Sequence, residues 1–251
     1  MADAGATDGS TAPTGFGVRY REARSRLGGA QKSAVGVPAY LRFVNRRAGG
    51  WLASVGYGLE LTPNHLTALS ALCSWAGMAV LVLVEPSFPV AIATAALLLL
   101  GYAFDSADGQ LSRVRGGGRP SGEWLDHVVD TAKTASLHAA VAVSVYRFPG
   151  GLNQRWLLLP LAFGIVHVTF FFGMMLRDQL GARPDKSSAD QATVAKSIAL
   201  LPLDYGAMCG VFLVRAWPEA FIGGYCALFA YMSLFSARSL TKAYRLLDHS
   251  R

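Results

Sequence analysis

Hydrophobic side chains occur in this chain in six long stretches, and polar turns separate them. Each stretch approaches the roughly 20 residues that a helix needs to cross the hydrocarbon core of a bilayer. The turns contain Pro, Gly and polar residues, as in EPSFP and RFPGGLNQ. The pattern predicts an all-α integral membrane protein with six transmembrane helices, at about 63–84, 90–113, 123–147, 155–178, 196–216 and 218–243.

Two segments of different character precede these stretches. Residues 37–60 mix arginines with aromatic side chains such as Tyr40, Phe43 and Trp51. This mixture suits a helix in the lipid headgroup region, so we expect a cytoplasmic amphipathic juxtamembrane helix. The amino terminus lacks the basic start and apolar core of a secretory signal. We therefore expect a disordered, basic leader over 1–36 and one membrane domain over 37–251.

Basic residues are distributed unevenly between the two sides of the predicted bundle. The leader and juxtamembrane region carry eight Lys or Arg, and the loops and tail on the same side carry three, four and four. The opposite loops hold only Arg147, Arg155 and Arg215. Positive residues accumulate on the cytoplasmic side of membrane proteins. The distribution predicts a multi-pass protein of the cytoplasmic membrane with both termini inside the cell.

Composition agrees with a membrane protein and excludes some other classes. Of the 251 residues, 52% are hydrophobic and 16% are charged, against about 25% charged in soluble domains. Three cysteines without C-x-x-C spacing indicate neither a disulfide framework nor a zinc site. The net charge of +7 is accompanied by no nucleic-acid-binding fold or basic-aromatic platform, so no nucleic acid partner is expected.

Four carboxylates stand out in this apolar chain. Asp105 and Asp108 are three residues apart, and Asp126 and Asp130 are four apart, so each pair shares one face of a helix. Ionisable groups at membrane depth are costly and usually mark a functional site. Carboxylate oxygens are ligands for hard cations such as magnesium or manganese. The two pairs predict a divalent metal site between two helices, open to the cytoplasm.

The residues beside these carboxylates indicate phosphoryl chemistry. Gly109 leaves space for a phosphate to approach the backbone. Arg113 adds a planar cationic group that suits phosphate oxygens. Magnesium commonly binds a few carboxylates together with substrate phosphates.

These residues also resemble a known signature. The pattern D-x-x-D-G-x-x-S-R, eight residues, then G-x-x-x-D-x-x-x-D, running from Asp105 to Asp130, resembles that of the CDP-alcohol phosphotransferase (CDP-alcohol phosphatidyltransferase) family. Seven fixed positions fall in register over 26 residues, and Ser112 replaces the family's usual Ala. The six spans, the amphipathic helix and TPNHLT at the start of the first span are similar as well.

The resemblance implies a transferase of phospholipid biosynthesis that displaces CMP from a CDP-linked donor with an alcohol hydroxyl. It implies that Asp105, Asp108 and Asp126 hold Mg²⁺ or Mn²⁺, with Asp130 as a further ligand and as the general base. Gly109 and Arg113 would bind the CDP moiety, joined by two residues on a looser match, Asn64 and Thr67. Asn64 is also explained as a helix cap.

The identity of the substrates stays open in the sequence. CDP-diacylglycerol is the preferred donor, with an inositol phosphate, glycerol phosphate or related polyol as acceptor. The reverse arrangement, CDP-choline or CDP-ethanolamine with diacylglycerol, uses the same signature. Family members are often homodimers, and Gly77, Gly223 and Gly224 offer small surfaces for helix contact.

Several polar residues are candidates for acceptor binding or for topology anchoring. They gather near the predicted cytoplasmic ends of the fourth and fifth spans: Arg177, Arg183, Lys186 and Lys196. Asp204 lies inside the fifth span, where a lone carboxylate needs a partner, and Lys133 is a candidate for it. His138 and His167 lack metal-ligand spacing and are predicted to be packed and hydrogen-bonded.

Two other function classes fit an acidic membrane cluster. A cation transporter or channel would show broken helices or paired repeats, which the sequence does not indicate convincingly. A metal-binding protein without catalytic activity would lack the fourth aspartate. Asp130 is present, so an enzyme is the preferred interpretation.

Overall fold

A computed structural model describes residues 15–29, 31–181 and 193–248. The described parts contain helices and turns and no strand. The α-helices are α1 (Phe16–Arg26), α2 (Arg46–Gly58), α3 (Pro63–Leu83), α4 (Phe88–Val114), α5 (Pro120–Arg147), α6 (Leu158–Gln179), α7 (Val194–Ala199), α8 (Tyr205–Val211) and α9 (Pro218–Asp248). A π-helical segment, Leu41–Asn45, runs into α2, and 3-10 turns occur at Gln154–Leu157, Leu201–Leu203 and Phe212–Val214.

Within the described residues, four helical segments are long and apolar enough to cross a membrane: Pro63–Leu83, Phe88–Val114, Gln154–Gln179 and Pro218–Asp248. Helix α5 is also long enough, at 28 residues or about 42 Å. Its first half is too polar to pass as apolar, because it carries Glu123, Asp126, Asp130 and Lys133. The prediction of an all-helical membrane protein is confirmed. Four of the six predicted spans are long, apolar helices in the described residues.

The predicted fifth span is not a continuous helix. Its region, 196–216, is divided into α7, α8 and two 3-10 turns. Pro202 has no backbone N–H and restricts Leu201, which disfavours continuation of the helix. Asp204 is extended and its side chain accepts a hydrogen bond from Gly206 N at 2.9 Å, which begins α8 as a new helix. The expectation of one helix over this region was therefore wrong.

The predicted leader also differs from expectation. Residues 16–26 form α1, which packs against α2 and buries Ala23. Leu27 and Val114 join Ala23 in a small apolar cluster between α1 and the end of α4. Apolar side chains thus order part of a segment predicted to be disordered. Residues 1–14 lie outside the described part of the chain, as do Arg183 and Lys186.

Helices α3 and α4 pack closely, because small residues line their contact. A Cβ on Gly77 would lie 3.1 Å from Leu97 Cβ, and a Cβ on Gly101 would lie 3.0 Å from Ser70 O. Helix α5 packs on α3 and α6, and α6 packs on α9. The largest buried cluster joins these helices to α8, with Leu98, Leu137, Phe163, Phe212 and Tyr225 among its members.

A hydrogen-bonded polar network crosses this cluster. His138 Nδ1 lies 2.5 Å from Tyr225 Oη, and His138 Nε2 lies 3.0 Å from His167 Nδ1. The network links α5, α6 and α9. The prediction that both histidines are packed and hydrogen-bonded is confirmed.

Candidate active site

Three of the four signature aspartates meet between α4 and α5. Side-chain oxygens of Asp105, Asp126 and Asp130 lie within 4.8 Å of one another. Asp105 comes from the carboxyl-terminal half of α4, and the other two project from one face of the first half of α5. Three carboxylates at this separation offer hard oxygen ligands to one cation. Their donor type fits the predicted magnesium or manganese.

Lys133 is the cation of this cluster. Its Nζ lies 2.5 Å from Asp105 Oδ1 and 2.8 Å from Asp130 Oδ1, and it donates to Ser70 Oγ at 2.9 Å. The residue is only 8% exposed, and the three contacts match the three donors of an ammonium group. The ammonium therefore offsets part of the repulsion between the two carboxylates.

Asp108 lies outside the 4.8 Å cluster and has hydrogen-bond partners of its own. Thr67 donates its hydroxyl to Asp108 Oδ2 at 2.6 Å, and Gly109 N donates to Asp108 Oδ1 at 2.5 Å. Asp108 still lies within electrostatic reach of Asp105 and Asp126. Each carboxylate oxygen can accept more than one hydrogen bond, so Asp108 keeps lone pairs for a ligand. That all four aspartates form the metal site stays a prediction.

Gly109 and Arg113 lie together, as the signature predicts. A Cβ on Gly109 would lie 3.2 Å from Arg113 Nη1, so the guanidinium occupies the space that glycine leaves. Arg113 is half-buried and within electrostatic reach of Asp108. A positive group that suits a diphosphate is thus placed near Asp108.

Asn64 lies in the first turn of α3, near Gly122 at the start of α5. Its Oδ1 is 3.4 Å from the place where a Cβ on Gly122 would sit, so α3 and α5 begin close together. The helix cap of α3 is Thr62, which forms a capping box with His65. The alternative explanation of Asn64 as the cap is therefore wrong, and its role in binding CDP remains a prediction.

The glycine loop between α4 and α5 is a helix terminator. Gly117 N donates to Ser112 O and Gly116 N donates to Arg113 O, both at 3.0 Å, which is a Schellman arrangement. Gly116 and Gly117 have φ of 93° and 119°, which glycine adopts readily. The loop ends α4 at Val114, one residue after Arg113, and allows α5 to begin at Pro120.

The candidate acceptor residues have contacts outside the carboxylate cluster. Asp204 Oδ2 accepts from Leu41 N at 2.7 Å, and Asp204 Oδ1 lies 3.3 Å from Tyr102 Oη. Its predicted partner, Lys133, binds Asp105 and Asp130 instead, so that pairing was wrong. Arg177 forms an ion pair with the neighbouring Asp178 at the end of α6.

Lys196 lies in α7, where its backbone N–H completes a capping contact with Thr193. A role in acceptor binding for Arg177, Lys196 and Asp204 stays a prediction. The contacts of Asp204 are those of a helix cap that also holds the start of the juxtamembrane segment.

Ser70 belongs to the site but is absent from the signature. It contacts the Lys133 ammonium from α3, on the same face as Thr67 and Ser74. All three are buried. A polar stripe at positions i, i+3 and i+7 of an otherwise apolar helix was the signal available in the sequence.

Comparison with known proteins gives the class to which this arrangement belongs. The family model described as CDP-alcohol phosphatidyltransferase matches residues 60–234. A search of curated proteins found no match. The chain belongs to the CDP-alcohol phosphatidyltransferase family, and the resemblance read from the aspartate signature is confirmed.

Membership of this family makes the protein a membrane transferase of phospholipid biosynthesis that acts on a CDP-linked donor. The broken region 194–214 is a feature that the transporter interpretation would also expect, but the family assignment favours the enzyme. The family is typically metal-dependent, and the three clustered aspartates fit that requirement.

Proposed function

We propose that the protein transfers a phosphatidyl group from CDP-diacylglycerol to the hydroxyl of a small polar alcohol, with release of CMP. An inositol phosphate, glycerol phosphate or related polyol would be the acceptor. The observation that carries the proposal is the meeting of Asp105, Asp126 and Asp130 within 4.8 Å, with the cationic Arg113 within electrostatic reach of Asp108 on the same helix as Asp105. Phosphoryl transfer depends on positioning and charge stabilisation, which metal-holding carboxylates and a guanidinium can supply.

Each residue has a distinct task in this proposal. Asp105, Asp126 and Asp130, with Asp108 beside them, would hold Mg²⁺ or Mn²⁺. When bound, the metal would polarise the donor diphosphate and stabilise the charge that develops on CMP. Arg113 would bind a diphosphate oxygen. Asn64, Thr67 and Gly109 would line the space for the cytidine moiety.

Asp130 would be the general base. It would accept the proton of the acceptor hydroxyl as its oxygen attacks phosphorus and the bond to CMP breaks. Lys133 pairs with Asp130 Oδ1 at 2.8 Å. Lys133 would therefore orient the carboxylate.

The membrane arrangement is part of the proposal. The four apolar spans, together with α5 and the broken region 194–214, would give six crossings and place both termini in the cytoplasm. Helix α5 packs between α3 and α6 with its polar residues toward α4, which supports its inclusion. The excess of Lys and Arg on one side supports the orientation.

We propose a homodimer because members of the family are often homodimers. Gly77 packs against α4 and Gly224 lies 3.4 Å, measured from a built Cβ, from Val211 of the same chain. These two glycines therefore allow close packing within one protomer. A Cβ on Gly223 meets nothing within 4 Å, so Gly223 is the remaining candidate for a helix contact between protomers.

A substrate panel tests the reaction. Purified protein receives Mg²⁺ or Mn²⁺, CDP-diacylglycerol and one alcohol at a time, and CMP release is measured. A second arm supplies CDP-choline or CDP-ethanolamine with diacylglycerol. We expect CMP release in the first arm with one acceptor, and its loss with EDTA. CMP release in the second arm alone would show that the small alcohol, and not diacylglycerol, carries the CDP. CMP release in neither arm would overturn the proposal.

A further inference from the structure

The described part of the leader, residues 15–29 and 31–36, packs on the side of the molecule that is proposed to face the cytoplasm. Arg19 Nε donates to Gly58 O at 3.2 Å and pairs with Glu60 at 2.6 Å. Gln31 Nε2 donates to Gln110 Oε1 at 2.7 Å. The segment thus contacts both α2 and α4, although it precedes the family-matched residues 60–234.

A cavity of about 740 Å³ lies between the leader and α2. This volume is within the range of about 300–1,000 Å³ that is usual for small-ligand sites. Five cationic side chains line it and no carboxylate does: Arg24, Lys32, Arg42, Arg46 and Arg47. Phe43 and Trp51 form an aromatic part of the wall, and Trp51 is 56% exposed.

Three of these cations are available to a ligand. Among the described residues, no carboxylate forms an ion pair with Arg24, Lys32 or Arg47. Arg46 has a structural task, since it donates to Lys32 O at 2.9 Å and to Ser33 O at 3.1 Å. Arg46 therefore fixes the backbone that carries Lys32. Like charges around one cavity repel each other, and an anion between them relieves that repulsion.

Two lining residues of the cavity, Gln31 and Arg46, are hydrogen-bonded to Gln110 of α4. Lys32 lies within electrostatic reach of Asp126, and Arg46 within reach of Arg113. Gln110, next to Gly109 in the signature, donates to Arg46 O at 3.0 Å. A ligand bound in the cavity would thus be linked through Arg46 to α4, the helix that carries Asp105 and Asp108.

We propose that this cavity is a second anion site, which binds the phosphate group of an anionic lipid headgroup or of a phosphorylated small molecule. Guanidinium groups match phosphate oxygens in geometry and charge. Basic side chains next to interfacial aromatic residues are the usual surroundings of lipid phosphates. The proposal goes beyond the transfer reaction, because it assigns a binding site to residues outside the family signature.

Binding to the full chain in detergent, without metal or cytidine nucleotide, tests the proposal. The probes are dihexanoyl phosphatidylglycerol, glycerol 3-phosphate and inorganic phosphate, with dihexanoyl phosphatidylcholine as the neutral-headgroup control. The test variant is Lys32→Gln with Arg47→Gln, two exposed cations of the cavity. The matched control is Arg238→Gln with Lys242→Gln, two exposed cations of α9. Unfolding midpoints of all variants establish that they are folded.

We expect at least one phosphate probe to bind the wild type about tenfold more tightly than phosphatidylcholine. The cavity variant should lose about tenfold in affinity, while the α9 variant stays within about twofold. Binding of phosphatidylglycerol alone identifies a lipid headgroup, and binding of glycerol 3-phosphate or phosphate identifies a small phosphorylated ligand. Equal binding of all probes, or a cavity variant that binds like the wild type, would overturn the proposal. Because no CDP substrate is present, failure here leaves the transfer reaction untouched.

Discussion

The Lys133 ammonium lies 2.5 Å from the Asp105 carboxylate, so a side chain of α5 neutralises one of α4 within the site. The same ammonium reaches Asp130 on its own helix at 2.8 Å. Breaking a buried ion pair by removal of one partner is strongly destabilising, because the other charge is left without compensation. Lys133 thus couples the stability of the metal-free protein to the geometry of the carboxylates.

Lys133→Met should destabilise the metal-free protein by about 3 kcal/mol or more. Mn²⁺ should restore much of the loss, because it can take over the compensation of Asp105 and Asp130. Unfolding midpoints with EDTA and with Mn²⁺ measure both effects. Lys242→Met, at an exposed position of α9, is the control and should change neither midpoint. An unchanged metal-free midpoint for Lys133→Met would show that the ion pairs carry no net stability.

Asp130→Asn should abolish measurable turnover, since loss of a general base costs about 10²-fold to 10⁴-fold in rate. The amide keeps the shape of the side chain but cannot accept the hydroxyl proton. CMP binding should be largely retained. CMP release and CMP affinity are the two measurements, with Asp248→Asn at the exposed end of α9 as the control. Undiminished CMP release would remove Asp130 from the role of base.

Gly101→Ala should separate α3 from α4 and lower the free energy of unfolding by about 1–3 kcal/mol. The added methyl would overlap Ser74 Oγ and lie 3.0 Å from Ser70 O. Because Ser70 also contacts Lys133, activity should fall as well. Chemical denaturation and CMP release measure the two effects.

Gly210→Ala in α8 is the matched substitution for that test, because Gly210 is not a candidate for a contact between protomers. Its methyl meets nothing within 4 Å, so we expect unchanged packing and a gain of up to about 1 kcal/mol from helix propensity. If both alanine variants had equal stability, close contact between α3 and α4 would not depend on Gly101.

Asp204→Ala should lower the free energy of unfolding by about 0.5–2 kcal/mol through loss of the α8 cap. Asp204→Asn should restore the part that comes from the cap, because the amide oxygen can still accept from Gly206 N, although the amide NH2 cannot accept from Leu41 N. The KM for the acceptor should stay constant in both variants. A rise in that KM with unchanged stability would instead support the predicted acceptor role.

The sequence was sufficient to locate the carboxylate site because helical spacing and chain order determine which aspartates share a face. Asp126 and Asp130, four residues apart, do meet Asp105. Spacing alone did not separate Asp108 from them, because that depends on the Thr67 hydroxyl from another helix. The pairing of Lys133 with Asp105 was missed for the same reason. Sequence spacing placed Lys133 on the same face of α5 as Asp130, but the contact with Asp105 depends on how α4 lies against α5.

The prediction of a continuous fifth helix failed because local helix-ending signals were outweighed by the apolar composition. Leu201, Pro202 and Asp204 together contain a helix breaker and a helix cap, but the apolar character of the surrounding residues favoured one long helix. The order of α1 could not be obtained from its composition. Ala23 and Leu27 are apolar among charged neighbours, and only a partner such as Val114 makes their burial favourable.

The docking of α1 affects how gene fragments of this protein should be cut. A fragment trimmed to the recognisable portion, which starts at residue 60, would strip the covering from Val114 and leave Gln110 without Gln31. Both belong to the helix that supplies Asp105 and Asp108. Such a fragment would therefore expose the face of α4 that α1 and Gln31 cover, on the same helix that carries the signature aspartates.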